Sequence, residues 1–177
     1  MSLHEPYRTL LGHFRHETGH YFWDRLVRDG GKLEPFRGVF GDEQQDYGKA
    51  LQSHYDQGPP VDWQARFVSA YAAMHPWEDF AETWAHYLHM VDTLEMARAF
   101  GLSTRPRASE GDELDASVDF DPYRKQPMER LTENWMPLTV AGNSLNRAMG
   151  QPDLYPFVLP PPVIEKLGYI HQLIRRS

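Results

Sequence analysis

Cysteine is absent from the chain, so no disulfide staples it and no thiolate can hold a metal. Any bound metal must therefore be held by histidine, aspartate or glutamate, and nine histidines make that feasible. No run of 18 apolar residues occurs, so no membrane span is predicted. No secretory leader pattern opens the sequence, and the expected location is the cytoplasm. Positive charge is in short supply: the net charge is −7, which argues against a nucleic-acid partner. Clean apolar–polar alternation is not found, so few or no strands are expected.

What the sequence does contain is a globular composition. Of its 177 residues, 41% are hydrophobic and 24% charged, enough for one domain over residues 1–177 with its own core. The predicted fold class is mainly α. Leu10, Leu11, Phe14, Trp23 and Leu26 recur at helical spacing from Pro6 to Val27, and Asp29-Gly30-Gly31 ends that element. Residues 31–41 read as a loop or short irregular hairpin. A second helix is predicted from Asp42 to Tyr55, stopped by Gly58-Pro59-Pro60, and a third from about Val61 to Ala73. Pro76 opens a long helix with Phe80, Trp84, Tyr87, Leu88, Val91 and Leu94 on one face, and Gly101 lies past its end. Residues 102–127 read as a long surface loop. Helices from Pro127 to about Gly150 and from about Pro162 to Arg175 flank an extended stretch, 151–162.

The chemistry lies in His16-Glu17-Thr18-Gly19-His20. Residues four apart on a helix lie one above the other, so His16 and His20 can offer two imidazole nitrogens to one ion. Glu17 projects beside them, placed to take a proton from a water that the ion activates. Gly19 costs about 1 kcal/mol relative to alanine inside a helix, which implies that something packs closely there. Phe14, Tyr21, Phe22 and Trp23 surround the motif, so the helix should be largely buried, and buried histidines need partners.

A catalytic zinc takes three protein ligands and keeps one position open. The third is sought in His75-Pro-Trp-Glu78-Asp-Phe-Ala-Glu82. Both glutamates sit near a helix start, where acids also favour the helix dipole. Phe80, Ala81 and Trp84 make this face interior, however, and buried carboxylates need a cation or donors. The residues alone do not choose between Glu78 and Glu82.

Several polar residues carry a plainer reading beside a functional one. Asp24, one turn after His20, is a candidate hydrogen-bond acceptor for a ligand histidine, or the partner of Arg25 or Arg28. His13, three before His16, could reach the same face but reads as a helix-surface or capping histidine, and His86 and His89 could form a second metal site but read as satisfied polar contacts. Asn143 and Asn146 should bond the backbone of a neighbouring loop.

The sequence resembles the gluzincins, zinc metallopeptidases with an HExxH helix and a later glutamate ligand. The spacing of Tyr71 to Glu78 and Glu82 is similar to that in anthrax lethal factor-type domains. Over most of its length the chain resembles a family of zinc-binding metallopeptidases of bacteria. The strings that carry this are YRTLLGHFRHETGHYFWDRLV (7–27), FGDEQQDYGKALQSHY (40–55), HPWEDFAETWAHYLHM (75–90) and DLYPFVLPPPVIEKL (153–167). The resemblance implies Zn2+ held by His16, His20 and Glu78, with Glu17 as general base. It implies Tyr71 as oxyanion stabiliser and Glu82 as the residue that orients a ligand histidine. The implied activity is hydrolysis of a peptide or protein substrate. The alternatives are a catalytically silent zinc-containing helical module and a protein-interaction domain. Two departures stand: the family's cysteine-rich zinc ribbon is missing, and a motif at residue 16 leaves no room for the clan's upstream sheet. The expectation is a fragment or helical remnant whose uncovered apolar surface favours a homo-oligomer.

Overall fold

The computed structural model describes residues 9–107 and 111–175. These residues form six helices and a two-stranded sheet, so the protein is mainly helical. The described residues divide into two compact units, one of residues 9–87 and 157–175, the other of residues 88–107 and 111–156.

In the first unit, α1 spans Leu10–Phe22. Thr9 caps it, its hydroxyl accepting from the Gly12 N–H at 3.0 Å. The sequence expectation of a start at Pro6 lies outside the described residues. The helix then widens into a π-helical stretch, Trp23–Arg28, before Gly31 turns the chain at φ 64°. Residues 31–41, expected to be a loop, instead contain helix α2, Leu33–Phe40. Pro35 sits in its first turn, where a missing N–H costs nothing. Phe36 and Phe40 lie one turn apart, stack at 5.1 Å and meet the ring of Phe80 at 6.0 and 5.6 Å.

Helix α3 spans Tyr47–Gln57 and starts later than expected, because Asp46 caps it by accepting from the Lys49 N–H at 3.0 Å. The helix expected over 61–73 does not form; only a 3-10 turn, Trp63–Ala65, is present. The backbone there serves other partners: the Arg66 carbonyl accepts from Lys166 Nζ at 2.8 Å, and the Ala72 N–H donates to Ser69 Oγ at 3.1 Å. Helix α4, Pro76–Ala99, begins as predicted. His75 caps it, Nδ1 accepting from the Trp77 N–H and Nε2 donating to the Gln45 carbonyl, each at 3.1 Å. Helix α6, Pro161–Arg175, returns to this unit. Its buried Lys166 pairs with the fully buried Asp79 at 2.6 Å.

The second unit takes the rest of α4. Strands β1 (Ser103–Thr104) and β2 (Ala116–Ser117) pair antiparallel, Ser103 opposite Ser117. They lie within the stretch read as surface loop. Here a segment does alternate, against expectation: Ala116, Val118 and Phe120 are buried, while Ser117 and Asp119 are exposed. Helix α5, Met128–Ala148, follows Pro127 and carries Pro137 in its interior. Asn143 holds the extended segment after it through both backbone groups of Tyr155, at 2.7 and 3.0 Å, and Asn146 donates to the Pro152 carbonyl at 2.9 Å. Trp135 packs edge-on to Tyr155 at 5.1 Å and to His89 at 5.5 Å.

No helix among the described residues is long and apolar enough to cross a membrane.

Candidate metal centre

The centre lies where α1 meets the first turns of α4. Gly19 permits the approach. A Cβ on it would lie 2.9 Å from Ala81 Cα, 3.2 Å from the Ala81 carbonyl oxygen and 3.2 Å from Trp84 Cβ. With hydrogen there instead, α1 sits flush on α4, and the imidazoles one turn apart face the carboxylates of Glu78 and Glu82.

His16 and His20 bring their Nε2 atoms to 3.1 Å from each other. Glu78 Oε2 lies 3.1 Å from His16 Nε2 and 3.5 Å from His20 Nε2. Among the described residues this is the one group of three side chains able to hold a metal ion. Bonds of about 2.0–2.1 Å in a tetrahedron put neighbouring ligand atoms ~3.3 Å apart, so the triangle already has the right size. Glu78 is 2% exposed, and its buried Oε2 faces the Nε2 atoms of both imidazoles. A buried anionic oxygen facing two imidazole nitrogens calls for a cation. One hard oxygen and two borderline nitrogens suit zinc.

Without a metal, a proton fills this role. Burial alone would depress His16, but hydrogen bonds with Glu78 and Glu82 outweigh it and raise the imidazole to about 9. Burial likewise works to raise Glu78, and the hydrogen bonds from His16 and His20 reverse this, holding it at about 2.

The surrounding contacts fix the set. Glu82 Oε1 lies 2.7 Å from His16 Nδ1, so that nitrogen donates and Nε2 faces the cluster. Ser69 Oγ donates to the other oxygen of Glu82 at 2.6 Å. Burial acts to raise Glu82, but the His16 hydrogen bond, the charges of His86 and His16 and the bond from Ser69 lower it overall. The Trp77 indole covers His20, ring centroids 3.8 Å apart. Glu17 stays on the open side, its side chain 56% exposed and 3.6 Å from His13. Tyr71 tilts against His16, ring centroids 6.1 Å apart. Burial, and then the charge of Glu78, push its phenol well above the ordinary range.

Of the residues singled out from sequence, His16, His20 and Glu78 converge, Glu82 bonds His16, and Tyr71 lies beside it. Asp24 is not brought to the cluster; its carboxylate takes Arg28 Nη1 at 2.6 Å. Sequence reasoning gave no role to Tyr47, whose hydroxyl donates to Glu78 Oε1 at 2.9 Å. It also passed over Ser69 and His54, whose ring meets Tyr71 at 5.8 Å. Tyr47 lies within a string that carries the resemblance, but nothing in its spacing marked it.

The chain belongs to the family described as "Putative zinc-binding metallo-peptidase", which matches residues 1–173. A protein of Mycobacterium bovis and two of Mycobacterium tuberculosis strains, each named as uncharacterized, are 46% identical to it over 177 residues. These matches cover 98% of this chain and 49% of each relative, so the chain spans about half the length of the curated relatives it matches. No solved structure matches the chain.

Proposed function

We propose that the chain is a zinc-dependent peptidase centre of gluzincin type, acting on a peptide or protein substrate. The carrying observation is the His16–His20–Glu78 triangle, whose edges of 3.1, 3.1 and 3.5 Å fit one tetrahedral ion. Zinc bound there supplies Lewis acidity, polarising a carbonyl and lowering the pKa of water toward about 7.

The chain's own residues do the rest. His16, His20 and Glu78 would hold the ion and leave it open to water or substrate. Glu82 keeps His16 in the tautomer that presents Nε2. Glu17, exposed one residue after His16, takes the proton as the water attacks the peptide carbonyl and returns it to the leaving amine. Tyr71 stays protonated, since burial and the neighbouring Glu78 oppose its ionisation. Its hydroxyl serves a developing oxyanion once it exchanges its present partner, Tyr47, for substrate.

Glu17→Gln tests this reading. The variant should retain one zinc per chain and lose chelator-sensitive hydrolysis of a mixed peptide library. Wild-type turnover in the variant removes Glu17 as base. A purified wild-type protein without zinc and unable to take it up removes the centre. Zinc without hydrolysis in the wild type favours the alternative, a silent zinc-holding helical module.

A further inference from the structure

The Glu78 carboxylate has two oxygens in different surroundings. Oε2 faces both imidazoles, while Oε1 accepts from Tyr47 at 2.9 Å. Tyr71 in turn donates to the Tyr47 hydroxyl, so the Tyr47 proton is directed at Glu78. The Tyr47 ring is held from several sides. Asp46 caps α3 and fixes Tyr47 as its first residue. His75 ties the preceding loop to the start of α4 through Gln45, and the rings of His75 and Trp77 stand edge-on to Tyr47 at 5.3 and 6.1 Å.

We infer that Tyr47 is a positioning residue that makes Glu78 a one-oxygen ligand and so keeps the fourth coordination position open. This inference rests on the zinc reading above. A carboxylate binds a metal through one oxygen or both. With Oε1 engaged by a neutral donor, only Oε2 remains for the ion. With the donor removed, Oε1 turns in beside Oε2, the coordination number rises to five, and the position needed for water is crowded. Tyr47 acts through Glu78, which separates its role from that of Tyr71.

Cobalt(II) reports this directly, because its visible d–d absorption weakens as coordination rises from four to five. Tyr47→Phe deletes one hydroxyl from a residue that is 36% exposed. It is loaded with cobalt, its absorption compared with wild type, its zinc affinity measured by chelator competition and its fold checked by far-UV circular dichroism. The expected result is a weaker, five-coordinate spectrum and an about 10–100-fold loss of zinc affinity with an unchanged fold. Tyr71→Phe, which frees the Tyr47 hydroxyl to turn, should move the spectrum the same way by less, and it serves if the first variant does not fold. Wild-type spectrum and affinity in the folded variant overturn the role of Tyr47 while leaving the zinc centre standing. A wild-type chain that takes up no cobalt overturns both.

Discussion

Nδ1 of His16 and Oε1 of Glu82 lie 2.7 Å apart although 66 positions separate them in the chain. The contact turns an imidazole with two equivalent-looking nitrogens into one with assigned tasks: Nδ1 donates to Glu82, and Nε2 is left to face Glu78 and His20. It also links α1 to α4 beside the triangle. Glu82→Gln keeps the shape but offers an amide in place of an anion. Zinc affinity should fall about 10–100-fold while the helix content stays constant. Competition with a chromophoric chelator measures it, and an unchanged affinity contradicts the assignment.

A metal ion bound at the triangle would compete with a proton for His16. In the metal-free protein the imidazole is raised from 6.5 to about 9, because hydrogen bonds with Glu78 and Glu82 outweigh its burial. The stabilisation from charged His16 is therefore complete below pH 6.5 and fades as pH rises through about 9. Zinc bound there would expel that proton, so its binding should tighten over the same interval. Thermal unfolding of the metal-free protein and zinc titrations across this range should trend in opposite directions. Parallel or flat profiles would contradict the competition.

Gly19→Ala places a methyl group 2.9 Å from Ala81 Cα and 3.2 Å from its carbonyl oxygen. Backbone cannot step aside as a side-chain tip can, so α1 must lift from α4. A loss of about 1–3 kcal/mol is expected from overpacking, with zinc affinity falling as the imidazoles leave Glu78. Denaturant unfolding and metal titration read the two effects separately. An alanine variant as stable as wild type would refute the close approach.

Asp79, next to Glu78 on α4, forms a buried pair with Lys166 at 2.6 Å. Burial, opposed by Lys166, leaves Asp79 raised to about 7. Lys166→Met strands the carboxylate and should cost about 3–5 kcal/mol, whereas pairing it with Asp79→Leu should recover most of the loss. Chemical unfolding of the single and double variants measures this. Equal stability of the two would show that the pair is not coupled.

Much of the arrangement was legible in the sequence where one element carries its own signal. The four-residue spacing of His16 and His20 needs only a helix, and α4 announces itself by Pro76 and Gly101. Phe36 and Phe40 were hidden by Pro35 and Gly38, which look like breakers until Pro35 is seen in a first turn. Residues 61–73 have helix-compatible composition, but the Arg66 carbonyl and Ala72 N–H answer to Lys166 and Ser69, partners no local pattern reveals. Tyr47 was invisible for the same reason: its partner is 31 positions away, and a tyrosine at a helix start reads as ordinary. The choice of Glu78 for the imidazole pair came from resemblance, and the geometry brings that carboxylate, and not Glu82, against both Nε2 atoms.

The indole of Trp77 covers His20 at 3.8 Å, one position before Glu78. A fluorophore is therefore built into the rim of the triangle. Any event that alters the charge on that imidazole alters the field felt by the excited indole. The emission of the unlabelled chain thus carries an optical record of what occupies the site, readable in real time by stopped flow.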